Sequence, residues 1–397
     1  MTKGIKGTVV NGRVKAIPSK SYAHRIAICN FLAGNKPSAM CEGFSSNDIR
    51  VTEDCLERLV RGEKVLDCGE SGSTLRFMLP LCSALGGEFE FIGHGKLMER
   101  PNEELFGVLN AHGVSAKKGQ TIKISGKLSS GEYKIRGDIS SQYVSGLLMA
   151  LPILDGDSKL VLTTPLVSAP YVDITLQVLE SFGVKIQKTD YGFYIHGNAK
   201  YKGEILPEGD WSNSAFFLVL GAVAGKVTVS GLNLNSVQGD RYITEIIILS
   251  GAEIKVEGDC VTVSKTQLKP IDFIAEDCPD LVPIACVLAA YANGKSIIRK
   301  VNRLKIKESD RIQTTIAMLS GFGVKAEYDG ENIIVHGGKV NNGSSESFND
   351  HRIAMSASVL ACGAQGESVI YGAQAVNKSY PTFFKDFNQT GGNSYDL

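Results

Sequence analysis

Long apolar runs along this chain alternate with shorter stretches in which apolar and polar residues trade places one by one. Six of the long runs share a form: a short strand-like stretch, a polar cluster, a run of small and apolar residues, then usually a glycine. They are KAIPSKSYAHRIAICNFLAG (15–34), LDCGESGSTLRFMLPLCSALGG (66–87), KIRGDISSQYVSGLLMALPIL (134–154), ILPEGDWSNSAFFLVLGAVAG (205–225), IDFIAEDCPDLVPIACVLAAYANG (271–294) and SFNDHRIAMSASVLACGAQG (347–366). A run that is apolar on every side predicts an interior helix. In the last copy that helix runs from Ile353 to Cys362 and is stopped by Gly363. With Ser21, Gly72, Ser141, Ser212, Pro279 and Asp350 as markers, the spacings are 51, 69, 71, 67 and 71 residues.

The alternating stretches keep the same beat. LNAHGVSAKKGQTIKISG, LESFGVKIQKTDYGFYIHG, LSGAEIKVEGDCVTVS and LSGFGVKAEYDGENIIVHG each read as a helix end, a glycine, a strand, a turn and a strand. Their glycines, Gly113, Gly183, Gly251 and Gly323, are 70, 68 and 72 residues apart. One repeat is therefore strand, helix, strand, helix, strand-turn-strand. A period near seventy is too long for the familiar solenoids. Six α/β units grouped three and three suit 397 residues better, at about 150 residues per domain.

Charge changes the picture little. Lys plus Arg and Asp plus Glu are 42 each, which argues against a nucleic-acid or membrane binder that works by bulk charge. The nine cysteines (29, 41, 55, 68, 82, 260, 278, 286 and 362) form no C-x-x-C pair and no zinc-ligand spacing. They read as structural free thiols of a reducing compartment. MTKGIKGTVV lacks an apolar signal core, so a cytoplasmic protein is expected.

The polar clusters carry the candidate chemistry. A structural repeat needs only a cap at each helix start. Capping accounts for Ser73, Ser140 and Asp350, but not for Lys20, Arg25, Arg76, Gln142, Asp280, His351 and Arg352. A helix N-terminus presents unpaired N–H groups and about half a positive charge, which makes it an anion site. Parallel interior helices would bring their polar starts to one face, and two such faces would form an anion-binding cleft between domains. RLKIKESDRIQTTIAML (303–319) adds Lys305, Lys307, Glu308, Asp310 and Arg311, with Glu308 and Arg311 expected on one face of a first turn. In GKLMERPNEEL, Arg100 precedes Pro101, a helix-start signal.

IPSKSYAHR, GESGSTLRF, KIKESDRI and NDHRIAM together resemble the EPSP synthase family of enolpyruvyl transferases, from Pro18 to Lys378. The resemblance implies a two-domain inside-out α/β (α+β) barrel of six βαβαββ units, three per domain, with helices inside and sheets outside. Residues 19–210 would form the N-terminal domain; 1–18 plus 211–397 would form the C-terminal one. It implies transfer of the enolpyruvyl (1-carboxyvinyl) group of phosphoenolpyruvate to the 5-hydroxyl of shikimate 3-phosphate, with release of phosphate. No metal or organic cofactor, nucleic acid or membrane is implied, and a monomer is expected.

By the same resemblance, Lys20 meets both substrates and Ser21 and Arg25 hold the shikimate carboxylate. Ser140, Ser141 and Ser168 bind the 3-phosphate, with Lys307 near that substrate and Tyr171 lining the site. Gly72, Arg100, Gln142, Arg311, Arg352 and Lys378 serve phosphoenolpyruvate. Asp280, with Lys20 as an auxiliary, takes the hydroxyl proton; Glu308 protonates the methylene carbon; His351 lies close by. Guanidinium groups suit phosphate and carboxylate alike because they bind both bidentately. Two positions depart from the family: Glu70 stands where Asn is common, and Arg303 where a neutral amide is expected. The alternatives are the sister transferase acting on UDP-N-acetylglucosamine, a non-catalytic six-unit clamp or phosphate-binding module, and an RNA-end-processing relative. The first would carry a loop cysteine shortly before its Arg-Pro, and none stands between Cys82 and Cys260.

Overall fold

A computed structural model describes residues 1–39 and 46–397. The chain divides into two compact units: Lys20–Pro207, and Met1–Ser19 together with Glu208–Leu397. Each is a mixed α/β layer arrangement with its apolar helices inside and its sheets outside. The helices Trp211–Ala224 and Val282–Ala290 are buried along their whole length. Strands such as Gly294–Arg299 alternate buried and wetter positions, as one-sided sheets require.

Among the described residues, five four-stranded sheets have one topology. The first two strands of a repeat lie side by side and parallel; the fourth joins the second antiparallel, and the third forms the far edge. In the Lys20–Pro207 unit the sheets are Val65–Asp67, Gly87–Ile92, Ile122–Gly126, Val114–Lys118 and Glu132–Ile135, Ser158–Leu162, Gly192–Ile195, Ile186–Thr189. In the other unit one sheet runs Asp272–Ile274, Gly294–Arg299, Ile333–Gly337, Lys325–Tyr328.

The remaining two sheets borrow strands from the N-terminus. Val10–Lys15 pairs parallel with Gly225–Ser230 and opens the fourth repeat. Lys3–Lys6 sits between Glu367–Tyr371 and Asn393–Asp396 and completes the sixth. This corrects the sequence reading, which gave a strand at 205–210 to the fourth repeat and one near Lys15 to the first. Ile5, Val10, Val14 and Ile17 are all buried there. At about 1.5–3 kcal/mol per buried aliphatic side chain, that is enough to hold the segment in this unit.

The first repeat also differs from the expected six βαβαββ units. It has the helices Lys20–Leu32 and Asn47–Val60 and, among the described residues, no strand of its own. Its marker spacing, 51 rather than about seventy, is short by one strand-turn-strand. Asn47–Val60 buries Ile49, Thr52, Cys55 and Leu56 and turns Arg50 and Glu57 to water. A helix with a polar outer face needs no sheet over it. Cys41 lies outside the described residues; the other eight cysteines are free thiols, seven of them buried. No helix among the described residues is long and apolar enough to cross a membrane.

Inside the Lys20–Pro207 unit, Gly72–Leu85 and Ser141–Ala150 pack closely. Pro80 has no N–H to offer the carbonyl of Arg76, four residues back. Gly146 fits at that spot: a Cβ there would stand 2.6 Å from the Arg76 carbonyl oxygen and 2.8 Å from Pro80 Cγ. Gly146→Ala is therefore expected to destabilise the protein by about 1–3 kcal/mol through overpacking, read from urea unfolding. No change in the midpoint would show that the two helices do not depend on this close approach.

Candidate functional site

In the Lys20–Pro207 unit, the starts of the interior helices gather polar groups. Ser71 caps Gly72–Leu85 by accepting the N–H of Thr74, and Ser140 caps Ser141–Ala150 by accepting that of Gln142 at 3.3 Å. Ser73, expected as a cap, instead accepts a hydrogen bond from Gln142 Nε2 at 2.8 Å. Arg76 fixes the other end of that amide: it donates to Gln142 Oε1 at 2.8 Å, to Asn102 Oδ1 at 3.2 Å and to the Pro101 carbonyl at 3.0 Å. Arg100 lies over Gly72, where a Cβ would meet its Nη1 at 2.4 Å. Arg100 is nine-tenths buried, and its Nε has no hydrogen-bond partner among the described residues. Pro101 stands one residue before the cap of Glu103–Asn110, Asn102, rather than at the first helical position.

Arg25 is wholly enclosed. It donates to Thr175 Oγ1 at 2.6 Å, Ser145 Oγ at 3.2 Å and the carbonyls of Ser21 and Tyr171 at 2.6 and 2.8 Å. Burial pushes it down to about 10, still charged at neutral pH. Ser168 opens the helix Ala169–Ser181 from a left-handed backbone, φ 55°. Lys20 pairs with Asp48 at 2.8 Å. Behind them runs a buried chain, His24 Nδ1 to Thr52 Oγ1 at 2.8 Å, Thr52 to Thr74 at 2.6 Å and Thr74 to Ser71 at 2.8 Å. Burial, then the charges of Lys20 and Arg25, hold His24 well below the usual imidazole range.

The other unit builds an ionic cluster around Arg311, which is 1% exposed. Its guanidinium donates to Asp350 Oδ2 at 2.8 Å, Asp280 Oδ1 at 2.8 Å and Glu308 Oε2 at 2.7 Å. The helix begins at Arg311 with Asp310 as its cap, so Glu308 reaches it from the preceding turn and not from a shared helix face. Asp280 also accepts from Arg352 at 3.0 Å and pairs with Lys307 at 3.4 Å. Burial would raise the Asp280 carboxyl, but Arg352, Lys307 and Arg311 outweigh it and hold it well below the usual range. Burial pushes Lys307 down against the pull of Asp280. Asp350 caps His351–Gly363 by accepting the Arg352 N–H at 2.9 Å, and His351 Nδ1 lies 4.0 Å from Asp350. Phe348 and Asn349 lead into that cap with φ of 52° and 55°, a strained pair for non-glycine residues. The turn offers the Asn349 carbonyl to Lys378 Nζ at 2.7 Å.

Thus Arg25, Ser21 and Tyr171 come together, as do Gly72, Arg100, Gln142 and Ser140, and as do Asp280, Lys307, Glu308, Arg311, His351 and Arg352. With Asp350 included, three carboxylates and three cations balance in the last cluster. Asp48, Asn102, Thr175 and Asp240 were not picked out from sequence. Each stands in an ordinary helix or turn context, and only the fold gives it a partner.

A model of the family EPSP synthase (3-phosphoshikimate 1-carboxyvinyltransferase) matches residues 57–387. The chain belongs to the EPSP synthase family. It is 39% identical to the 3-phosphoshikimate 1-carboxyvinyltransferase of Clostridium kluyveri over 98% of this chain and 97% of that one. It is 36% identical to that of Clostridium novyi over 96% of each. Among solved structures, an EPSP synthase from Acinetobacter baumannii superposes with a TM-score of 0.80 at 23% identity, covering 100% of both chains. The enolpyruvyl transferase NikO from Streptomyces tendae gives 0.76 at 14%, covering 99% and 98%. These two establish the fold.

The residues that depart from the EPSP synthase pattern have definite places. Glu70 sits against the 93–95 turn: a Cβ on Gly95 would stand 3.0 Å from its carboxyl carbon. There it adds a little to Asp67, the main cause, in pushing the His94 imidazole up. Arg303 adds positive charge beside Lys307.

His24 gives a pH test of the buried chain. Its folded form refuses a proton that the unfolded chain accepts below about pH 6.5, so stability is full above that value and falls as pH drops. Relative to His24→Gln, the natural protein is expected to lose up to about 1.4 kcal/mol per pH unit below 6.5 in urea unfolding. A constant difference between the two proteins from pH 7.5 to 5.5 would contradict it.

Proposed function

We propose that the chain transfers the enolpyruvyl group of phosphoenolpyruvate to the 5-hydroxyl of shikimate 3-phosphate and releases phosphate, through a tetrahedral intermediate. The observation that carries this reading is the Arg311 cluster in a chain of this family: two candidate acid/base carboxylates, Asp280 and Glu308, fixed by one buried guanidinium. The reaction needs a base for the hydroxyl, an acid for the methylene carbon and cations for two multiply charged substrates. Each phosphate monoester brings about 1.5–2 negative charges at pH 7.

Arg311, Arg352 and Lys378, with Lys20, Gly72, Arg100 and Gln142, are assigned to phosphoenolpyruvate. Lys20, Ser21, Arg25, Ser140, Ser141, Ser168, Tyr171, Asp280 and Lys307 are assigned to shikimate 3-phosphate. The Gly72–Leu85 and Ser141–Ala150 helix starts support this by offering N–H groups next to Arg100 and Gln142. Hydrogen bonds orient the Gln142 amide in advance, so little side-chain freedom remains to be lost on binding.

Asp280 is a weak base at rest because cations hold both of its oxygens. A substrate anion that draws Arg352 and Lys307 toward itself removes that restraint and makes Asp280 more basic as the hydroxyl arrives. Glu308, ion-paired with Arg311 at rest, must first take up a proton from solvent. It gives that proton to the methylene carbon, and as the intermediate collapses it takes one back from the same carbon while Asp280 passes the hydroxyl proton to the departing phosphate. His351 stands by as a neighbour of Asp350. The chain is proposed to act as a monomer in the cytoplasm, a placement its free thiols support.

The test is phosphate release from phosphoenolpyruvate, with and without shikimate 3-phosphate. Release is expected only with both substrates. Asp280→Asn and Glu308→Gln are each expected to lower kcat by about 10²–10⁴, the usual worth of a general acid or base, with folding intact. Unchanged turnover in both variants would leave a phosphate-binding module as the better reading.

A further inference from the structure

Asp240 lies in the short turn Gly239–Tyr242 and is 2% exposed. One carboxyl oxygen accepts a hydrogen bond from Ser212 Oγ. The other, Oδ1, is buried with no hydrogen-bond partner among the described residues. A fixed, fully ionised carboxylate in such a place would be costly, because it would be desolvated with half of its acceptors unused.

The groups whose charge or hydrogen bond acts on it come from three other parts of the unit. Asp280 and Cys278 stand on the segment leading into Pro279–Leu281, Arg352 on His351–Gly363, and Asp210 at the cap of Trp211–Ala224. Ser212 links two of these neighbours, since its hydroxyl holds Asp240 while its backbone carbonyl accepts from Arg352 Nη1 at 3.3 Å. Burial and the nearby Asp280 push the Asp240 carboxyl up to about 7, against the pull of Arg352.

We propose that Asp240 is a positioning residue: with its proton on, it leaves Arg352 to Asp280 and to the substrate anion, and with its proton lost to solvent, it competes for Arg352. The inference rests on the assignment of Arg352 to phosphoenolpyruvate. The neutral acid adds no charge beside Asp280. The ionised form partly neutralises Arg352 and adds a second negative charge near Asp280.

The decisive experiment is the pH profile of KM for phosphoenolpyruvate and of kcat, measured from pH 6 to 9 on the full chain, on Asp240→Asn and on Ser212→Ala. In the natural protein, KM is expected to rise about tenfold through a midpoint near pH 7, the scale of one charge-assisted hydrogen bond, with kcat changing much less. Asn is neutral and nearly isosteric, so Asp240→Asn is expected to keep the low KM across the range, apart from the change that the titrating substrate phosphate gives in every protein. Ser212→Ala removes a donor to the ionised form and is expected to move the midpoint to higher pH.

A folded Asp240→Asn with the natural KM profile overturns the proposal, and so does a Ser212→Ala midpoint that stays in place or moves down. If Asp240→Asn does not fold, Ser212→Ala decides. An infrared difference spectrum of the natural protein gives a reading without turnover. A protonated-carboxyl band at pH 6 that fades by pH 8 and responds to Ser212→Ala supports the neutral acid; its absence overturns it. A chain that showed this band but released no phosphate would instead count against the enzymatic reading.

Discussion

A guanidinium withdrawn from water must be satisfied on every edge, and Arg311 meets that demand with three carboxylates from three parts of one unit. Isolated, any of these charges would cost several kcal/mol to bury. Together they fix one another. Asp350 also caps the His351–Gly363 helix, so the orientation of Arg311 is tied to the start of the element that carries His351 and Arg352. Asp280 reaches the same post through the Pro279–Leu281 turn, and Glu308 through the turn before the helix. The acid/base candidates thus share one partner, and Asp280 is held further by Arg352 and Lys307.

That sharing has a consequence for charge. On the proposed assignment, the cations that suit a phosphate are already engaged by carboxylates, so anion binding would be an exchange of partners within a nearly neutral cluster. The ion pairs satisfy one another without substrate, and the exchange would couple binding to the basicity of Asp280. The Lys20–Pro207 unit solves a milder version of the problem. There Lys20 has a carboxylate partner in Asp48, while Arg25 and Arg76 are satisfied by hydroxyls, amides and carbonyls. Neutral acceptors leave the positive charge of Arg25 uncancelled, which favours an arriving anion. The helix starts add to that field without titrating.

Much of this was legible in the chain because period and polarity are local signals. The seventy-residue beat gave the repeats, and runs apolar on all sides gave the interior helices. The clusters at 20–25, 72–76, 140–142 and 350–352 did fall at helix starts. What the chain hid was non-local. Val10–Lys15 looks like the lead-in to Lys20 but pairs with Gly225–Ser230, because strand pairing is decided by where the chain returns. Ser73 looks like a cap, yet Ser71 takes that place and frees Ser73 for Gln142. Asp48 and Asp240 look like common surface acids, and only the packing of other elements makes one the partner of Lys20 and the other a buried neighbour of Asp280. The first repeat's missing hairpin was visible as a short interval, although its cause, a helix with a wet outer face, was not.

The central claim is that Arg311 and Asp280 act as one unit, and a double-mutant cycle on kcat for phosphate release tests it most directly. Arg311→Lys keeps the charge but loses the fork; Asp280→Asn keeps the shape but loses the charge. If the two residues act together, the double variant is expected to fall no further than the worse single one, as interdependent catalytic groups do. Losses that multiply, each single effect appearing in full in the double variant, would show that Arg311 and Asp280 work independently and would contradict the account.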